Sequence, residues 1–114
     1  MAARGACRLV VRSKGRVERE KYPTLEEALD ALEAHGRELE LSARPKPVDT
    51  KVLGRYEPAQ QVTARLELAG RGGIDIRGDG SAVAYTGKLR RRTVEQNGGE
   101  SPYEALRRAL ASGA

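Results

Sequence analysis

Thr24-Leu25-Glu26-Glu27-Ala28-Leu29 decides the fold, because the same chemical solution returns near the other end of the chain as Ser101-Pro102-Tyr103-Glu104-Ala105-Leu106. In both runs a hydroxyl residue is followed three positions later by a glutamate. The hydroxyl accepts from the backbone N–H three residues on, and the glutamate reaches back to the cap residue's own N–H, so both runs are capping boxes that open helices. Each follows a basic stretch with strand character. The pattern is a ββα unit at each end around a central run of strands, with the two helices related as a pseudo-repeat.

Working outward from the first box, residues 7–13 read as a strand through Leu9, Val10 and Val11. Lys14-Gly15 makes a tight turn and residues 16–22 return as a polar strand that suits a sheet edge. The helix then places Leu25, Leu29, Leu32, Gly36 and Leu39 on one stripe, with the acidic residues opposite. A C′ stop at Gly36 would leave 37–41 as a short strand; a helix to about residue 40, with Gly36 admitting a close neighbour, fits the stripe better. Residues 42–47, with Pro45 and Pro47, form a linker between elements, and residues 1–6 are a flexible tail.

Alternation governs the middle. Val48, Thr50, Val52, Gly54 and Tyr56 share one face of a strand that Glu57-Pro58 ends. The next puts Val62, Ala64, Leu66 and Leu68 inward, then Gly70–Gly73 connects to Ile74 and Ile76, which face in. Asp79-Gly80 signals a two-residue type I′ hairpin. A long return strand from Ser81 to about Glu95 follows, with Val83, Tyr85 and Leu89 on one face and a bulge near residues 91–94. The element order is β-β-α-β-β-β-β-α. Short connections make neighbours antiparallel, so the chain of 114 residues is expected to form one α+β domain, a curved and largely antiparallel sheet with both helices on one face.

Leu, Ile and Val number 22, and Phe and Trp are absent, so the core is thin and a second copy or another partner has reason to cover more surface. Cys7 is the only cysteine, which removes intrachain disulfides and thiolate metal cages and suits a reducing compartment. No apolar leader or membrane-length stretch is present. The expectation is a cytoplasmic chain with no membrane contact.

Catalytic constellations fail one by one. His35 is the only histidine, so no Ser-His-Asp set and no multi-histidine site rests on more than that residue. Asp75-Ile76-Arg77-Gly78-Asp79-Gly80 lacks the ligand density of a calcium loop. Thr86-Gly87-Lys88 has Ala82 where a P-loop needs its first glycine and a strand where the helix should begin. No cofactor, metal or catalytic residue is assigned, and the expected class is a non-enzymatic binding or regulatory module.

Charge supplies the leads. Net charge is +5, yet residues 1–21 carry a surplus of five cations while residues 24–41 carry a surplus of five anions. The basic set is Arg8, Arg12, Lys14, Arg16 and Arg19 on the first hairpin with Lys88, Arg90, Arg91 and Arg92 on the last strand, where Lys88, Arg90 and Arg92 point to one side. Such a surface can follow a phosphate backbone, with Tyr22 or Tyr85 stacking on bases, which makes an RNA- or DNA-binding accessory protein one reading. Glu26, Glu27, Asp30 and Glu33 on the first helix support the other, a protein-binding or self-associating regulator whose opposed charges meet within the fold or across a homodimer. The run Tyr22-Pro23-Thr24-Leu25-Glu26-Glu27-Ala28-Leu29 after a polar hairpin resembles, over those eight residues, the strand-to-helix step of HicB-type antitoxin domains. That resemblance implies a small partner-binding regulator.

Overall fold

The computed structural model describes residues 7–43, 62–87 and 90–111; the tail 1–6, the strand expected over 48–57, and Lys88 and Leu89 lie outside the described residues. β1 (Cys7–Ser13) and β2 (Arg16–Tyr22) pair antiparallel. Lys14 and Gly15 between them have φ of 52° and 76°, the two positive angles of a type I′ turn. α1 (Leu25–Ala43) follows, then β3 (Val62–Leu68), β4 (Gly72–Arg77), β5 (Ala82–Thr86), β6 (Arg92–Thr93) and α2 (Pro102–Ala111). The strands form one six-stranded sheet in the order β2-β1-β3-β4-β5-β6, every neighbour antiparallel. The α+β class and the order β-β-α-β-β-β-β-α are those read from the sequence. Each outermost strand feeds a helix, β2 into α1 and β6 into α2, so the ββα step occurs at both sheet edges.

Both helix starts use their caps. Ser101 and Glu104 form the full reciprocal box: the Glu104 N–H donates to Ser101 Oγ at 3.1 Å, and the Ser101 N–H donates to Glu104 Oε1 at 2.8 Å. Pro102 sits at the first helical position, where its missing N–H costs nothing. At Thr24 half of the box is made, since the Glu27 N–H donates to Thr24 Oγ1 at 3.1 Å while the Glu27 carboxylate takes the hydroxyl proton instead of a backbone one.

One face of the sheet carries the core. Leu9, Leu66, Leu68, Ile74 and Ile76 are fully buried there against Ala28, Leu29 and Leu32 of α1 and Tyr103, Leu106 and Leu110 of α2. The helices therefore lie on the same side. Gly36 sits inside α1, which runs to Ala43 and not to residue 40. A Cβ at Gly36 would stand 2.7 Å from Tyr103 Cε1, so the glycine is the seat on which the α2 tyrosine rests. The Tyr103 hydroxyl donates to Glu40, and Arg37 lies 5.2 Å from the ring centroid.

The strand 81–95 is not continuous. Gly87 takes φ +110°, a conformation that L side chains rarely adopt, and the chain doubles back so that β6 pairs with β5 through Tyr85↔Thr93 and Thr86↔Arg92. Ala82 and Ala84 face the helices, leaving Val83 and Tyr85 on the opposite side. Val62, expected inward, is 48% exposed, because a bulge between Val62 and Ala64 shifts the register by one residue and turns its side chain outward. Gly72 and Gly73 belong to β4, not to a connector, and only the turn closed by the Arg71 N–H on the Leu68 carbonyl separates β3 from β4. At the next hairpin only Gly80 has positive φ, the Gly80 N–H closes on the Arg77 carbonyl, and Asp79 Oδ1 accepts from the Ser81 N–H. That is a three-residue loop with a glycine bulge, not the two-residue type I′ turn.

Candidate binding face on the sheet

Strand alternation places Arg8, Val10 and Arg12 of β1 opposite in direction to the core residues Leu9 and Val11. Antiparallel partners point the same way, so the strand pairings extend this face across the sheet. One row runs Arg19, Val10, Glu67, Gly73, Tyr85, Thr93 from β2 to β6. The next runs Val17, Arg12, Arg65, Asp75, Val83. Lys21 stands beside Arg8. No described helix or strand packs on this face.

Its electrostatics are one-sided. Among the described residues Arg8, Arg12, Arg19, Lys21, Arg65 and Arg77 are joined by Arg91, which lies over Tyr85, against Glu67 and Asp75. Asp75 is already spent: Arg65 Nε donates to its Oδ1 at 2.6 Å and Arg65 Nη2 to its Oδ2 at 3.3 Å, a forked pair that raises the guanidinium's proton affinity. Arg8, Arg12, Arg19 and Lys21 are exposed and form no ion pair among the described residues.

Within that polar field lie two buried groups outside the core cluster, Val10 at 7% and Tyr85 at 4% exposure. Tyr85 lies over the bare backbone of Gly73, where a Cβ would meet its hydroxyl at 2.9 Å. Arg91 sits 5.0 Å from its ring centroid. The hydroxyl is buried with no hydrogen-bond partner among the described residues, and burial pushes it up to about 12. Tyr85 is therefore not the exposed stacking ring expected of it. Tyr22 is also engaged, donating to Glu20 Oε1 at 2.6 Å.

The remaining candidates separate. Lys14 and Arg16 lie toward the helix side of the hairpin, where with Glu18, His35, Glu38 and Leu39 they line a cavity of about 470 Å³ of mixed charge. His35 Nε2 is 3.1 Å from Glu20 Oε1, tying α1 to β2. Arg90 and Arg92 are exposed, β5 ends at Thr86, and Lys88 lies outside the described residues. Arg92 sits opposite Thr86, on the side away from Tyr85.

The acidic set is largely spent within the chain. Arg107 Nη2 of α2 reaches Asp30 Oδ1 at 2.7 Å and Glu33 Oε1 at 3.3 Å, Arg37 donates to Glu33 at 2.8 Å, and Glu27 serves its cap. Glu26 is exposed. The partner of the acidic helix is thus the C-terminal helix and not the basic hairpin. Lys21, Arg65 and Arg77 join the basic face without having been read from the sequence, whereas Arg91 and Tyr85 are both expected there and only their contact is new. The signal for Lys21 was present, since it shares the parity of Arg19.

Among the described residues no His, Cys, Asp and Glu are grouped to hold a metal ion, and no helix is long and apolar enough to cross a membrane. No family model, curated protein or solved structure matches the chain.

Proposed function

We propose that this chain is a non-enzymatic binding module that engages single-stranded nucleic acid along the helix-free face of its sheet. One observation carries the reading: both helices, and the acidic side chains they neutralise, lie on one side, while Arg8, Arg12, Arg19 and Lys21 stand exposed on the other without carboxylate partners among the described residues. An open sheet face presents a shallow, regular array of cations that a flexible phosphate backbone can follow.

Self-association draws less support. Among the described residues β2 is an edge strand, but antiparallel pairing with a second β2 about any of its three middle residues sets Glu18, Arg19 or Glu20 opposite its own copy. Like charges directly across a pair oppose such contacts. An acidic protein would meet the same cations and is separated by the test. A labelled single strand of roughly twelve nucleotides is titrated between about 50 and about 300 mM salt; engaging about five phosphates makes log affinity fall against log salt with a slope near −3.5. Arg12→Glu with Arg19→Glu should weaken binding more than about tenfold. No binding at the lowest salt, with one protein retained stoichiometrically from nuclease-treated lysate, would overturn the reading in favour of a protein partner.

A further inference from the structure

Among the described residues two arginines lie over tyrosine rings, and they differ in their electrostatic surroundings. Arg37 over Tyr103 is held by Glu33, and the same tyrosine donates to Glu40, so that pair is locked and acts as packing between α1 and α2. Arg91 over Tyr85 has no carboxylate partner among the described residues and is exposed. Its ring is seated as firmly as the other: Tyr85 is 4% exposed, pressed on Gly73 where no side chain fits, and the turn that delivers Arg91 depends on Gly87. A buried tyrosine whose hydroxyl finds no partner is an expensive way to build a core. Here the ring lies outside the core cluster and supports one guanidinium.

Resting on the nucleic-acid reading above, we propose that Arg91, backed by Tyr85, is the stacking station for one unpaired nucleobase. The guanidinium is planar and exposed, with its carbon 5.0 Å from the ring centroid. In this proposal the side of Arg91 away from the ring receives the base, which stacks on guanidinium planes as it does on aromatic rings. The guanidinium N–H edge remains for the adjoining phosphate. Arg19 lies in the same lateral row as Tyr85 and Arg12 in the next, so a strand crossing the sheet from β5 to β1 keeps phosphates over cations after the base is seated. The sugar, ribose or deoxyribose, is not chosen by this geometry; the station recognises a base and its phosphate.

The test compares base-bearing with abasic strands of equal length, since both carry the same phosphates. Probes are oligodeoxyuridylate, oligouridylate and an abasic deoxyribose strand, each of roughly twelve units. The native chain should bind a base-bearing strand roughly tenfold more tightly than the abasic one, the value of about one stacked base; the tighter of the two base-bearing series identifies the sugar. Arg91→Lys keeps the charge and loses the plane, so it should hold the abasic strand as the native chain does and lose the preference for bases. Tyr85→Phe keeps the ring and should keep the preference. Equal binding of base-bearing and abasic strands by the native chain overturns the stacking station while leaving the phosphate-binding face standing, as does a full base preference in Arg91→Lys. Absence of binding to every strand overturns both.

Discussion

Replacing Gly36 by alanine sets local preference against packing, and the two predict opposite signs. Inside a helix the change should stabilise by about 1 kcal/mol, because glycine loses more backbone freedom than alanine on folding. In this fold the new methyl would stand 2.7 Å from Tyr103 Cε1 and closer still to the hydroxyl, in a ring that is 2% exposed and cannot swing away. Overpacking of this kind costs about 1–3 kcal/mol. Displacing the hydroxyl from the Glu40 carboxylate forfeits a charged hydrogen bond worth about 1.5–3 kcal/mol. After subtracting the propensity gain, Gly36→Ala should destabilise by about 1.5–5 kcal/mol, or lower the melting temperature by roughly 10 °C. Urea unfolding followed by far-ultraviolet circular dichroism measures it. In a Tyr103→Leu background the clash is gone, and the same substitution should become neutral or stabilising by about 1 kcal/mol, a coupling of about 3 kcal/mol. A Gly36→Ala protein more stable than the parent would refute the seating of Tyr103 on α1.

Leu66 is fully buried at the centre of the sheet, so Leu66→Ala should cost about 2–5 kcal/mol in the same urea assay; a parent-like midpoint would mean that the inward face of β3 is misassigned. Tyr85→Phe removes a buried hydroxyl with no partner among the described residues and should leave stability unchanged or raise it by about 1 kcal/mol, whereas a clear loss would reveal a partner for that oxygen. Hydrogen bonds from Tyr22, Ser81 and Arg108 hold the Glu20, Asp79 and Glu100 carboxyls below their usual range. Their stabilising effect is complete above the unfolded values near about 4 and is lost as pH falls through the folded ones, so melting temperature should drop steadily on acidification below about pH 4.5. At the alkaline end the sign reverses: burial raises the Tyr85 hydroxyl to about 12, so its contribution is complete below the unfolded value near about 10 and is lost as pH climbs through 12. The decline should be shallower in Tyr85→Phe.

Local chemistry carried most of the fold. The capping boxes at Thr24 and Ser101, the stripe Leu25, Leu29, Leu32, Gly36, and the alternation at Ala64, Leu66, Leu68, Ile74 and Ile76 are each encoded within a few residues, and each appears where that spacing puts it. The errors lie where one residue resets a period. Gly87 reverses the chain without breaking the alternation of apolar residues around it, and the bulge before Ala64 moves Val62 by one place with no change in composition. The candidate face was half legible for the same reason. Arg8, Arg12 and Arg19 follow from parity on one hairpin, but the fork between Arg65 and Asp75 depends on a register between two strands. Nothing near Tyr85 in sequence announces that its ring will lie across Gly73. The capture of Asp30 and Glu33 by Arg107 joins residues more than seventy positions apart, and it is this contact that favours the basic sheet over the acidic helix in the proposed reading.

The most direct test of that reading compares two charge-matched double variants in strand binding at low salt. Arg12→Gln with Arg19→Gln removes two cations from the helix-free face, and Ala34→Glu with Leu41→Glu lowers net charge equally at two exposed positions on α1. The sheet pair should weaken binding about tenfold and flatten the salt slope by about 1.4, while the helix pair stays close to the native chain. Equal weakening by both pairs would mean that binding follows net charge and not this face, and a larger loss from the helix pair would place the contact on the opposite side of the molecule.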